Sequence, residues 1–337
     1  MRRLRYTHAL NEGLRQLMAE DPDIFLLGED IRHSMRGLTR GLADEFGPDR
    51  VMDMPISEAA FTGLATGAAI AGMRPIVEYQ IGALAFVAFD QLVDQAMKLP
   101  YMMGGQCRVP VTYIFPASGF RTGLAGQHSD HLYPYLLHAG MKVVIPSTPA
   151  DAKGLLVAAV RCDDPVALFA PAAVMAERGE VDEALYEIPL GKGAVRREGD
   201  GVTVIAVGHL VREALLVADE LEGEGISVHV FEPRTLLPLD LEGLEAAVRR
   251  TGRVVILDDS NLVCGFAAEL AALIAEHWFD ALKMPVKRIA RATVPVPFSP
   301  ALDREVVPSG ERLKACLRGM AAAGRTAADE AERLAWR

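Results

Sequence analysis

A two-domain α/β protein, each domain a mostly parallel sheet covered by helices, is the fold class this sequence predicts, and three observations predict it. The chain has 337 residues, which at roughly 150 residues per domain is enough for two separate cores. Short apolar runs rich in β-branched residues alternate with longer segments of helical period, the pattern of parallel strands joined by crossover helices. The alternation lapses once, around residues 171–198, and then resumes.

In chain order, Leu10, Leu14, Leu17 and Met18 recur at helical spacing ahead of a first strand, Ile24 to Leu27. Further strands are expected at Val51 to Met54, Pro75 to Glu78, Val111 to Phe115, Val143 to Ile145 and Val166 to Phe169. After the second of these, Ser57 is a natural N-cap for a helix that ends near Gly72. Phe89 to Leu99 reads as another helix, stopped at Pro100. The stretch 171–198 mixes charges without a sustained period. Beyond it come strands at Val202 to Val207, Val228 to Phe231 and Val254 to Leu257, with helices at Val211 to Leu221, Leu241 to Arg250 and Phe266 to His277. The expected domains are therefore 1–185 and 199–320, joined by a linker at 186–198. An Ala-rich, charged extension, 321–337, reads as an added helix or a frayed tail.

Composition narrows the function. Lys plus Arg number 35 against 45 for Asp plus Glu, a net charge of −10, so the basic surface of a nucleic-acid binder is not expected. Cys107, Cys162, Cys264 and Cys316 show no metal-ligand spacing and read as reduced thiols. No apolar run reaches the ~18 residues of a membrane span, and no apolar stretch follows the basic start. A cytoplasmic protein is expected, without membrane contact.

Two places concentrate chemistry-bearing residues. Glu58 falls in the first turn of a helix that leaves a strand end, where α/β folds place ligands; the plainer reading is a carboxylate that complements the helix dipole. The same helix runs through Gly63, Ala65, Gly67, Ala68 and Ala69, so one face is small enough for another helix or subunit to approach. The second place is the Gly-containing loop 116–131, which carries Arg121, His128, Asp130 and His131. Loops of this length are more often functional than idle. Too few ligands stand at recurrent spacing for zinc, so His128 is read as a general acid/base or anion-binding residue, and His131 and His138 as structural.

The segments FLLGED (25–30), MPISEAAFTGLATGAAIAGMRPIVE (54–78), FDQLVDQAMKLPYMMGGQ (89–106), AGQHSD (125–130) and KVVIPSTPADAKGLLVAAVRCDDPV (142–166) are joined by VTVIAVG (202–208), FEPRTLLPLDLEGL (231–244), GFAAEL (265–270) and MPVKR (284–288). Together, over roughly residues 4–320, they resemble the β subunit of the thiamine-diphosphate-dependent decarboxylase component of 2-oxo acid dehydrogenase complexes, of the pyruvate and acetoin type. The resemblance implies a pyrimidine-type cofactor-binding domain followed by a transketolase C-terminal-like domain. It also implies an α2β2 heterotetramer in which thiamine diphosphate and Mg²⁺ are held mainly by the α subunit. The GDG…Asn signature of that partner is absent here. Gly199-Asp200-Gly201 precedes a strand and reads as a turn, and the only asparagines are Asn11 and Asn261.

On the resemblance, Glu58 exchanges a proton with N1′ of the cofactor, Ile56 and Leu84 line the cofactor, and Gly63 and Gly67 form a subunit contact. His128 matches the histidine that serves acyl transfer to a lipoyl group. Asp130 departs from the usual Gln, and Leu84 from the usual aromatic residue, which implies a roomier pocket for the small 2-oxo acid. Some members hold K⁺ through backbone carbonyls at the positions of Val111, Ala159, Val160, Cys162 and Asp164. The family chain commonly ends near Gly319, where it meets the dihydrolipoyl acyltransferase, whereas this one continues to Arg337. Two other readings stay open: a biosynthetic decarboxylase or ligase subunit with a non-lipoyl acceptor, and a catalytically silent structural partner.

Overall fold

The computed structural model describes residues 1–119 and 124–322. Within them the chain forms two compact units, one of residues 1–119, 127–191 and 235–238, the other of residues 124–126, 192–234 and 239–322. Most of the extension read at 321–337, and Arg121 in the loop, lie outside the described residues.

The first unit runs β1 (Arg2–Arg5), α1 (Tyr6–Glu20), β2 (Ile24–Gly28), α2 (Leu42–Phe46), β3 (Val51–Asp53), α3 (Glu58–Ile70), β4 (Arg74–Glu78), α4 (Leu99–Met102) and β5 (Thr112–Ser118). It continues with α5 (Ala125–Ser129), α6 (Tyr133–His138), β6 (Lys142–Val144), α7 (Pro149–Arg161), β7 (Val166–Pro171) and β8 (Arg178–Val181). The second unit holds β9 (Ala194–Arg197), β10 (Val202–Ala206), α8 (Leu210–Glu222) and β11 (Val228–Glu232). After β12 (Thr235–Leu237), which belongs to the first unit, come α9 (Leu241–Thr251), β13 (Val254–Asn261), α10 (Phe266–His277), β14 (Lys287–Arg291), α11 (Pro300–Val306) and α12 (Gly310–Ala322).

The sheet of the first unit has the order β12-β6-β7-β5-β4-β2-β3, parallel except for antiparallel β12. Alternate side chains point to opposite faces. Ile76, Ile114 and Leu168 share a core with Leu10, Leu14, Leu17 and Met18 of α1 and with Leu155 and Leu156 of α7. Each such buried side chain contributes roughly 1.5–3 kcal/mol. Tyr79, just past β4, stacks on Phe115 and meets Phe61 of α3.

In the second unit the order is β14-β13-β10-β11-β9, parallel except for antiparallel β9. Val204, Val230 and Leu257 pack against Ala214, Val217 and Leu221 of α8 and Leu313 and Leu317 of α12. The N-terminus of α10 is closed by protein: the Phe266 N–H donates to Ser260 Oγ at 3.1 Å and the Ala267 N–H to Asp258 Oδ2 at 3.2 Å. Gly199-Asp200-Gly201 is the expected turn, and the Asp200 N–H donates to Ser227 Oγ at 3.1 Å.

Some expectations change. Pro100 does not stop a helix. A 3-10 segment, Gly82–Ala88, and a π-helical segment, Gln91–Met97, lead into α4, where Pro100 occupies the first turn and needs no acceptor for a missing N–H. Strands β1, β8, β9, β12 and β14 escape the periodicity because they are short and rich in charged side chains or lie at edges. No helix among the described residues is long and apolar enough to cross a membrane, and the four cysteines are free.

Candidate active site

Strands β2, β3, β4 and β5 run parallel, with Gly28 beside Asp53 and Glu78, and Glu78 beside Ile114. The segments leaving their carboxyl ends therefore carry Glu29, Glu58, Gln80 and Leu84 to one edge of the sheet. Close strand packing explains Gly28, because a Cβ there would stand 2.2 Å from the Glu78 carbonyl oxygen.

Glu58 begins α3 and is 6% exposed. Ser57 occupies the N-cap position as expected, yet its side chain makes no capping bond. One turn on, Thr62 shares a hydrogen bond with the buried Tyr79 phenol, which pins the start of α3 to the sheet. Burial pushes the Tyr79 phenol well above its ordinary value, and the charges of Glu58 and Glu29 add to this. Tyr79 thus stays protonated beside the Glu58 carboxylate. Glu58 itself makes no side-chain hydrogen bond among the described residues. Beside this buried acid, Ile56 is 86% exposed.

Two buried acids at this edge were not singled out from sequence. Burial raises the Glu29 carboxyl, and the neighbouring Glu58 and Asp30 raise it further. The signal was an acidic residue immediately after a parallel strand. Gln80 Nε2 donates to the Glu29 carbonyl, and Arg36 Nε to the Gln80 carbonyl at 2.8 Å, so the loop after β2 is tied across β4.

Glu78 is fully buried, its Oε2 has no partner, and burial pushes its carboxyl up to about 8 despite the Arg36 guanidinium nearby. The folded chain keeps a proton here that the unfolded chain loses near the ordinary value of 4.5. Stability from this group is complete below that value and falls as pH rises to 8, by about 1.4 kcal/mol per pH unit. Glu78→Gln should therefore gain on the unaltered chain between about pH 5 and pH 8, read as the difference in urea midpoints. Parallel midpoints at both pH values would show that Glu78 is not protonated in the folded chain.

His128 lies in the five-residue helix α5, half-buried, and makes no side-chain hydrogen bond among the described residues. No hydrogen bond joins it to Glu58. His131 is buried against Tyr133, with ring centroids 4.8 Å apart, and His138 is exposed. Among the described residues no three His, Cys, Asp or Glu side chains come together as a metal site.

Leu84 is half-buried within the 3-10 segment, between buried Ala83 and Ala85. Gly63 is half-buried, and a Cβ there would stand 2.8 Å from Gln91 Oε1 of the same chain. Gly67 is exposed, with nothing within 4 Å of a Cβ placed on it. Leu64 and Ile70 of the same helix are large exposed apolar side chains, as are Phe86, Val87, Tyr101, Met102 and Tyr135 elsewhere in the same unit. Of the carbonyls named for potassium, those of Val160 and Cys162 accept from Arg74 Nη1 at 3.1 and 3.2 Å. Ala159 O accepts from the Cys162 N–H, and Val111 O from the Val166 N–H.

Comparison with known proteins follows the same two units. Residues 2–175 match the transketolase pyrimidine binding domain, and residues 191–313 the transketolase C-terminal domain. The chain is 40% identical over 321 residues to the acetoin:2,6-dichlorophenolindophenol oxidoreductase subunit beta of Bacillus subtilis (strain 168), covering 90% of this chain and 93% of that one. It is 38% identical over 324 residues to the mitochondrial pyruvate dehydrogenase E1 component subunit beta-2 of Oryza sativa subsp. japonica, with 93% and 86% covered. Identity to the 2-oxoisovalerate dehydrogenase subunit beta of Bacillus subtilis (strain 168) is 38% over 321 residues, with 94% and 98% covered. A solved structure described as a split gene transketolase, inactive beta4 tetramer, superposes with a TM-score of 0.78 at 24% identity, covering 96% of this chain and 99% of that one, a likeness of fold.

Proposed function

This chain belongs to the β-subunit family of the pyruvate, acetoin and 2-oxoisovalerate dehydrogenases, and on that premise we propose that it supplies the activating glutamate of a thiamine-diphosphate-dependent 2-oxo acid dehydrogenase. One observation carries the reading: Glu58 is a buried carboxylate with no side-chain hydrogen bond among the described residues. Its carboxyl oxygens are not sealed from solvent, so a ring nitrogen of a bound cofactor can reach them. Thiamine diphosphate, when bound, supplies a nucleophilic carbon and an electron sink for decarboxylation.

The chain's own part is to hold and move a proton. Glu58 would hold N1′ of the aminopyrimidine and exchange a proton with it, on a helix start fixed by the Thr62–Tyr79 bond. Ile56, exposed beside it, would line the cofactor. His128 donates a proton as the acyl group passes to a lipoyl acceptor.

An α subunit completes the enzyme as α2β2 and holds the diphosphate and Mg²⁺. The exposed Leu64 and Ile70 on the helix that carries Gly67 support that partnership. Potassium is not part of the proposal, because the Arg74 guanidinium already stands at two of its carbonyls. Four free cysteines suit a cytoplasmic setting.

Co-expression with an α-type chain, followed by assay of pyruvate consumption with an artificial electron acceptor, tests the reading. Activity is expected only with both chains present. An assembly that binds the cofactor yet ignores pyruvate, acetoin and branched-chain oxo acids would overturn the substrate class.

A non-lipoyl acceptor is the second reading, favoured by the small residues around Leu84. If Leu84 sets pocket size, Leu84→Phe should lower kcat/KM for the larger oxo acids by about 10-fold or more relative to pyruvate. An unchanged ratio would remove Leu84 from the pocket.

A further inference from the structure

We propose that the two-stranded ribbon of β1 and β8 is a docking surface for an acidic, extended segment of a partner protein. Its antiparallel register sets Arg3 opposite Glu180, Leu4 opposite Gly179 and Arg5 opposite Arg178. The Tyr6 N–H donates to the Glu177 carbonyl at 2.8 Å. Like charges directly opposite one another destabilise a ribbon. Arg3 shares the face of Arg5, because strand side chains alternate.

Arg3, Arg5 and Arg178 are exposed, and among the described residues none has a side-chain ion pair or hydrogen bond. Arg2, on the other face, is taken by Glu12. Three arginines without an ion pair thus stand on one face with the exposed Glu180, which lies opposite Arg3, and the pair with no acid directly opposite is Arg5–Arg178. A ribbon shaped for stability alone would set an acid opposite Arg5. A local rule broken without a compensating contact is the mark of a functional surface.

Spacing selects the occupant. Arg3 and Arg5 repeat at about 6.6 Å along the strand, the distance between alternate side chains of another extended chain. The ribbon is a sheet of two strands, so each has an outer edge along which such a chain can lie. A carboxylate received between Arg5 and Arg178 relieves their repulsion. Nucleic acids, which bind through many phosphate contacts, find three arginines too few.

The test uses the full chain assembled with its α-type partner and a fluorescein-labelled octapeptide, (Glu-Thr)4, followed by anisotropy. Binding is expected to weaken at least tenfold between low and moderate salt, and at least fivefold in the Arg5→Gln/Arg178→Gln variant. Arg178→Glu should abolish peptide binding while leaving the thermal midpoint unchanged or raised, since Arg5 then faces an opposite charge. The proposal is overturned by failure of the peptide to bind at millimolar concentration, or by binding indifferent to the double variant. It is equally overturned if phosphate or oligothymidylate of equal charge competes as well as the acidic peptide. A midpoint lowered by Arg178→Glu would show that the arginine serves the fold instead.

Discussion

Glu58→Gln in the assembled enzyme should cut turnover by about 10²–10⁴-fold, the range for losing a positioned acid/base group, with assembly intact. The amide keeps the shape and burial of the side chain but cannot carry a proton to and fro. Gel filtration should give the same assembly, and thiamine diphosphate should still bind, though more weakly. The Thr62–Tyr79 bond that fixes the helix start does not involve Glu58, so local structure should survive. Turnover within threefold of the unaltered enzyme would end the role assigned to this residue. Titration gives a second reading, because the raised Glu29 carboxyl feels the Glu58 charge. Removing that charge should bring the Glu29 carboxyl closer to its ordinary value, read from its titration by NMR.

Lys153→Met should be the most destabilising single change in the first unit, by about 3–5 kcal/mol, the range for removing one partner of a buried ion pair. Lys153 has no exposed side-chain surface. Its Nζ donates to Glu12 Oε1 at 2.8 Å and to the Asp182 and Ala184 carbonyls at 2.8 Å. The ammonium also lies 5.4 Å from the centre of the Tyr186 ring. It therefore fastens α1, α7 and the segment after β8 at one point. Methionine fills a similar volume, and Glu12 keeps its ion pair with Arg2, so the loss would report mainly on the carbonyls left dry. A urea midpoint matching that of the unaltered chain would show that water replaces the ammonium without penalty.

Lys153 also shows where sequence reading stops. On a helix that ends at the exposed Arg161, a lysine between Ala152 and Gly154 reads as surface; only the return of residues 182–184 over α7 buries it. Gly63 teaches the same lesson from the opposite side. Its place in a small-residue helix says only that something approaches closely, and the structure puts the Gln91 side chain of the same chain beside it. Strand β12 pairs with β6 from far along the chain, and three residues at an edge leave no periodic trace.

By itself the sequence determined the two-unit α/β architecture and the resemblance on which family and chemistry rest. It also determined the place of Glu58 at the first turn of a helix leaving a parallel strand. Strands buried on both faces and helices buried along one stripe write their period into neighbouring residues, so local order suffices to read them. Only the tertiary structure decided that Glu58 is buried without a side-chain hydrogen bond, that Glu29 and Glu78 are held toward protonation, and that Arg5 faces Arg178. Those properties depend on desolvation and on charges brought together across the chain, and no local pattern of residues records which groups water will fail to reach.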